Sequence, residues 1–371
     1  ATGAVAPTGA MPPFAFGNDP SKVRGYREFW ARSERRRPLV GFSIKSWFPL
    51  EEFAASRAWK GSRVLTPDLV DPPAFLDDQE RLLREGETMA DDILRGASPS
   101  QAVPWLAGML GSVLRILPGS ILEEAQHLPW EQVLAKRLDP GEPWFRAYHE
   151  CCRTLADRAA GRFPVSHGSL VGPTDLLADF RGHTEALFDL VDEPDRCAQA
   201  LWGFGRIFRE LTVATWDRLP RFQGGWFDAQ YQLWTPGPTI RMQEDAAAAY
   251  SPELYRRLVQ PVDRYLAESF SCAFMHLHST SLAVLDAILE IEELGCIQMN
   301  YEVGSGGPDM AGMIPPFRRI QEAGRSLVVR GSFTPEEARL LADSLDPRGL
   351  YVYAMVESLQ EADALRPILG M

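Results

Sequence analysis

A single (β/α)8 TIM barrel, carrying an N-terminal helical extension and insertions, is the fold the sequence predicts. Three observations lead there. From residue 160 onward, short β-like runs alternate with stretches whose apolar residues recur at helical spacing, the pattern of parallel βαβ units. Eight runs qualify as strands, near residues 38, 101, 163, 224, 272, 295, 326 and 349, and eight parallel strands at this length suggest a barrel. Neither an internal repeat nor a linker divides the 371 residues, of which 45% are hydrophobic and 24% charged, enough to bury one large core. A doubly wound open sheet is the structural alternative.

Taken in order, residues 1–20 (ATGAVAPTGAMPPFAFGNDP) are rich in Ala, Gly and Pro with no basic residue before Lys22. They read as a flexible leader without the charged start of a signal peptide, and the barrel domain spans 21–371. PLVGFSI (38–44) is a strand after a basic, helical-looking segment, and AVPWLAG (101–107) is a weaker one; residues 45–160 hold insertions and long connections. FPVSHG (163–168) is strand-like and precedes helical stretches to about 219. GGWF (224–227) and a turn-rich WTPGPT lead to a helix signalled by Ser251 as N-cap, Pro252 at the first position and Glu253 in the first turn. After CAFMHLH comes SLAVLDAILEIEELG at helical spacing, ended by Gly295. CIQMNY, a helix over 309–323 and SLVVRG continue the alternation. Thr334 and Pro335 then open the helix TPEEARLLADSL, and GLYVYAMV closes the series.

A formal net charge of −12 argues against a nucleic-acid footprint or an anionic membrane surface, and no apolar run reaches the ~18 residues of a membrane span. The five cysteines, Cys151, Cys152, Cys197, Cys272 and Cys296, are odd in number and lack any C-x-x-C pair. That disfavours a disulfide framework or an all-cysteine zinc site and sets a reducing, cytoplasmic expectation. There is no Walker motif, HExxH or G-x-S-x-G elbow, and GSGGP (304–308) is not placed as a dinucleotide fingerprint. GFG (203–205) falls inside a helical pattern, where it permits close packing. A small-molecule substrate is the partner expected; a homo-oligomer is left open.

In a parallel barrel the C-terminal strand ends converge on one mouth, where chemistry sits. His276 and His278 end their strand on one face, because side chains alternate with period two. Glu302 follows CIQMNY, Glu357 follows GLYVYAMV, Asp228 follows GGWF, His167 ends FPVSH and Lys45 follows PLVGFSI. Two imidazoles with a carboxylate from a neighbouring strand form a His2Glu-type zinc set with room for water or substrate. The alternatives are a substrate contact or a hydrogen-bonded core pair. Each remaining residue has its own structural alternative: loop carboxylate, loop cap, turn brace or exposed strand end. Trp226, Phe227, Tyr231 and Trp234 form either an apolar wall for a ligand or the packing of a long loop. Arg181 either pairs with a substrate carboxylate or holds its loop.

The segments GPTDLLADFRG (172–182), EDAAAAYSPELYRRLVQPVDRYL (244–266), FMHLHST, CIQMNYEVG and FTPEEARLLADSL…GLYVYAMV together resemble the uroporphyrinogen decarboxylase superfamily. That superfamily also contains zinc-dependent corrinoid methyltransferases. The resemblance runs from about 160 to the end, with a looser match at VRGYREFWARSERRRPLVGFSI, and SPELYRRLVQP with its spacing to HLH is its most specific part. It implies a (β/α)8 barrel. In the methyltransferase branch a His-x-Cys pair ends the corresponding strand and a late cysteine completes the zinc site. Here His278 stands in the second position, the late position falls near Glu357, and no cysteine follows 296. The resemblance therefore implies a divergent set, with zinc held by His276, His278 and Glu302 or Glu357, whose harder ligands suit oxygen donors or water. Asp245 or Asp228 is then expected to orient substrate or move a proton, and a corrinoid carried by a partner protein to give or take a methyl group. The decarboxylase branch implies basic residues after the first strand, where this chain offers only Lys45. Metal-free decarboxylation of a carboxylated aromatic or tetrapyrrole-like ligand and a non-catalytic binding module are the rival readings.

Overall fold

The computed structural model describes residues 14–44, 53–59, 61–99, 103–117, 120–168 and 170–371. Eleven strands are assigned among them. In chain order they are β1 (Leu39–Ile44), β2 (Val64–Leu65), β3 (Leu114–Leu117), β4 (Ser120–Glu123), β5 (Trp226–Asp228), β6 (Leu233–Thr235), β7 (Thr239–Gln243), β8 (Cys272–His278), β9 (Cys296–Asn300), β10 (Ser326–Gly331) and β11 (Leu350–Val356). Six of these form one wholly parallel sheet in the order β1-β11-β10-β9-β8-β7. The fold is therefore α/β with a parallel sheet, but among the described residues the eight-stranded barrel is not closed.

Three of the eight expected strands account for the difference. Residues 163–168 contribute one parallel bridge, Val165 to Ala97, and no more. Of the run near 101, residues 101 and 102 lie outside the described residues, and the remainder enters a short helix, Trp105–Met109, with Pro104, which has no N–H to give a ladder, at its N-cap. GGWF enters an antiparallel hairpin, with β5 paired to β6. The sheet's edge strand is instead β7, TIRMQ, inside what reads as a turn-rich segment. Its alternate residues Thr239, Arg241 and Gln243 are polar because they face inward, so the hydrophobic signal of a buried strand is halved.

Period-two alternation divides the sheet's residues between two cores. Ala273, Met275, Leu277, Ile297, Met299, Leu327, Val329, Val352 and Ala354 pack toward the helical layer. Leu39, Phe274, Cys296, Val328, Tyr351 and Tyr353 face the other way. That inner face is filled by the helix Val23–Trp30 and by the β5–β6 hairpin, whose Phe227, Tyr231, Leu233 and Trp234 are buried there. Tyr26 donates to the Gln232 carbonyl at 2.6 Å and Trp30 to that of Trp234 at 2.9 Å, fixing helix against hairpin. The lower inner face is thus packed solid, and only its C-terminal rim is left for polar groups.

Local signals work where they are strong. Ser251 Oγ accepts from the Leu254 amide, starting the helix as expected. Further on, Tyr255–Val259 widens into a π turn before Pro261, which has no N–H and cannot sit against the preceding turn. Thr334 and Glu337 form a reciprocal capping box. The helical run after β8 is shorter than its spacing suggests, covering Leu285–Leu289. In the helix Pro194–Trp216, a Cβ on Gly205 would lie 2.4 Å from a methyl of Val262, so the glycine lets two helices approach.

Candidate metal centre

The rim is built in layers, because register partners in a parallel sheet share a face. His276 of β8 sits between Gln243 of β7 and Gln298 of β9. One layer further along, His278 pairs with Asn300, Asn300 with Arg330 and Arg330 with Tyr353. Asp245 arrives from the turn directly after β7.

His276 is enclosed, and its Nδ1 lies 2.8 Å from the Tyr231 hydroxyl and 2.5 Å from Gln298 Oε1. Gln298 in turn donates to Asn300 Oδ1 at 3.0 Å, so its oxygen faces the ring and the Nδ1 proton belongs there. The Nε2 lone pair then accepts from His278 Nε2, 3.2 Å away. Burial pushes the His276 pKa down to about 4, so the ring is neutral.

His278 has the opposite surroundings. Its Nδ1 lies 2.7 Å from Glu302 Oε2 and its Nε2 3.7 Å from Asp245 Oδ1. Hydrogen bonding to Asp245 and then Glu302 raises its pKa to about 10. Burial acts against both carboxylates, yet hydrogen bonding to His278 leaves each below its ordinary range. Asn300 also donates to Glu302 Oε1 at 3.1 Å, holding that carboxylate in place.

Asp245, His276 and His278 each present a donor atom within 4.8 Å of the other two, which makes them the candidate cation ligands among the described residues. Their chemistry fits a divalent ion of the zinc type: two imidazoles, one already neutral, and one carboxylate. Glu302 touches the far nitrogen of His278 and so stands behind a ligand, the place of an outer carboxylate that orients a metal-bound imidazole. Asp245, expected to orient substrate or move a proton, is thus in the candidate donor group, and Glu302, expected as a ligand, lies behind His278. Glu357 is exposed beyond β11, its amide bonded to Glu361, and does not join the group.

A cavity of about 470 Å³ opens onto the centre, lined by Asp245, His276, His278, Asn300, Gln230 and Gln243 on one side. Its other walls are Val103, Ile121, Leu170 and Val171, with Ser120 and Glu123 from β4. Within the small antiparallel sheet β2-β3-β4, it is the strand β4 that forms part of this wall.

The other expected site residues lie elsewhere. Asp228 is buried, accepts from the Tyr231 amide at 3.0 Å and faces Arg241 at 3.8 Å, so it shapes the hairpin. Trp234 is sealed in the inner core, donating to the Phe222 carbonyl, and Trp226 is half-buried under Arg221. Neither lines the cavity; Tyr231 reaches the centre only through its bond to His276. His167 is buried against Trp216 with Nδ1 on the Gly168 carbonyl, which is a turn brace. Arg181 pairs with Asp189 at 2.6 Å, donates to the Leu128 carbonyl and covers Trp130, so it holds its loop. Lys45 lies outside the described residues. All five cysteines are buried and free, with Cys272 and Cys296 at strand starts, away from the rim.

Gln298, Asn300 and Arg330 are rim residues that strand-end reasoning passes over. The same period-two rule that pairs His276 with His278 would have found them, applied to CIQMN and SLVVRG. No helix among the described residues is long and apolar enough to cross a membrane.

No family model matches the chain, and no curated protein matches it by sequence. Among solved structures, a methyltransferase from Methanosarcina mazei aligns over 96% of this chain and 98% of its own, with a TM-score of 0.63 at 12% identity. At that identity the likeness is one of fold alone: this chain shares that protein's α/β architecture over nearly its whole length.

Proposed function

We propose that the chain is a zinc-dependent methyltransferase of the uroporphyrinogen decarboxylase-like superfamily, working at the C-terminal rim of its parallel sheet. The observation that carries this is the convergence of Asp245, His276 and His278 on one point beside an open cavity. The fold likeness to a methyltransferase supports the reaction class. Bound there, zinc supplies Lewis acidity toward the atom that accepts or releases the methyl group.

The protein's own part is positioning. Tyr231 and Gln298 fix the tautomer of His276 so that Nε2 faces the centre. Glu302 does the same for His278 and keeps a carboxylate behind it. Asp245, half-buried at the cavity wall, completes the donor set. The apolar wall of Val103, Ile121, Leu170 and Val171 limits water around the acceptor. A corrinoid protein docking over the rim as methyl donor belongs to the same reading.

Elemental analysis of protein purified without chelators tests it. Stoichiometric zinc is expected in the wild type, lost in His276→Ala and in Asp245→Ala and kept in Glu357→Gln. Wild-type protein that takes up no stoichiometric metal overturns the reading. With zinc established, methyl transfer from methylcobalamin to small thiols and alcohols identifies the acceptor class.

A further inference from the structure

Arg330 lies on the inner face of β10, in the same layer as Asn300 and Tyr353. It is 5% exposed, and its Nε is fully buried without a hydrogen-bond partner. Its guanidinium takes part in no hydrogen bond, salt bridge or ring contact among the described residues. Arg241 also leaves Nε and Nη2 buried without partners, but unlike Arg330 each of the other buried arginines has at least one side-chain partner. Arg95 is held by two bonds to Asp91 and one to the Phe42 carbonyl, and Arg241 by Gln230 beside Asp228.

A buried, uncompensated guanidinium is costly, because desolvation of the charge is offset only when an anion and hydrogen-bond acceptors replace water. Its strand neighbour on one side, Asn300, lines the cavity over the metal centre. Its neighbour on the other side, Tyr353, lines a second small pocket at the C-terminal end of β1. Arg330 itself lines neither hollow; it lies in the layer between a residue of one and a residue of the other. His278 and Arg330 are two strands apart in one layer, roughly 10 Å between backbones at ordinary strand spacing.

We propose that Arg330 receives the carboxylate of the substrate, and that the site selects apolar acids over their neutral analogues. A planar fork of N–H donors matches the two oxygens of a carboxylate, and a single positive charge suits a monoanion. The apolar wall of Val103, Ile121, Leu170 and Val171 gives the remainder of such an acid somewhere to lie. The inference deepens the methyltransferase reading by naming an acceptor class, an acid whose second functional group reaches the metal centre.

Benzoate and benzamide serve as probes, titrated calorimetrically into zinc-free and zinc-loaded full-length protein. Wild-type protein is expected to bind benzoate saturably in both forms and to bind benzamide far more weakly. Arg330→Gln should lose benzoate affinity by roughly 30-fold or more, the usual consequence of removing one partner of a buried charge pair. Arg330→Lys, which keeps the charge but not the fork, should fall between and keeps the test open if the glutamine variant does not fold. Because the variant sheds an uncompensated charge, its melting temperature should be no lower than that of the wild type. Unchanged benzoate affinity in either folded variant, or equal binding of benzoate and benzamide by the wild type, overturns the proposal. Zinc content measured on the same samples separates its failure from that of the metal reading: benzoate binding to zinc-free protein does not depend on the centre being loaded.

Discussion

His276 and His278 are neighbours on one strand face, yet their surroundings give them opposite protonation states, with pKa values of about 4 and about 10. The difference comes from burial at one ring and two carboxylates at the other, so replacing the outer carboxylate tests the orienting role directly. Glu302→Gln is expected to weaken zinc binding about 10- to 100-fold while leaving saturable stoichiometry intact, as read by competition with a chromogenic chelator. Complete loss of the site would instead make Glu302 a ligand. Tyr231→Phe removes a buried hydroxyl bonded to His276, and a loss of about 1 kcal/mol in urea unfolding is expected. At this scale the His-Leu-His pair was legible, since period two alone puts both rings on one face. Asp245 was expected only as a group that orients substrate or moves a proton, not as a third donor. Asp245 follows a strand whose inward polar residues hide it from a hydrophobic pattern, and only the fold brings it across to β8.

Elements with strong local chemistry behave as their sequences say, and those without it are decided by packing. The Thr334–Glu337 box is one such signal, and it reaches further than its helix: Tyr301, just past β9, donates to Glu337 Oε1 at 2.6 Å. Thr334→Ala should therefore cost about 1 kcal/mol of stability, the ordinary value of a lost cap, in denaturant unfolding. Glu337→Ala should cost more, because it also leaves the Tyr301 hydroxyl without its acceptor. A Glu337→Ala variant no less stable than Thr334→Ala would show that the link to β9 contributes nothing. By contrast GGWF, with good strand composition, joins a hairpin that fills the inner face, while the plainer TIRMQ becomes the edge of the main sheet. Propensity describes how well a residue fits a half-buried pleated surface, and both segments offer that. Which one joins the parallel sheet depends on Arg241 and Gln243 having polar company inside the rim, information that no local window holds.

Across the whole molecule, acidic groups gathered around the site side of the sheet set how stability responds to pH. Asp179, in the helix Pro173–Arg181, is buried, and one of its carboxylate oxygens has no partner. Burial, then the nearby Glu123 and Asp175, raises its pKa from an ordinary 3.8 to about 8. In the unfolded chain the same group ionises near its ordinary value, so between about pH 4 and pH 8 the folded state holds a proton that the unfolded state has released. Stability therefore falls as pH rises through that window, and the loss is complete above it. Asp179→Asn removes the proton linkage while keeping the shape of the side chain. The variant should match the wild type near pH 4 and exceed it at pH 9 by on the order of 2 kcal/mol, given 1.36 kcal/mol per pKa unit and partial relaxation around the charge. Melting temperatures followed by circular dichroism across pH 4 to 9 measure this. An offset between the two proteins that does not change with pH would mean that Asp179 is not protonated in the native state.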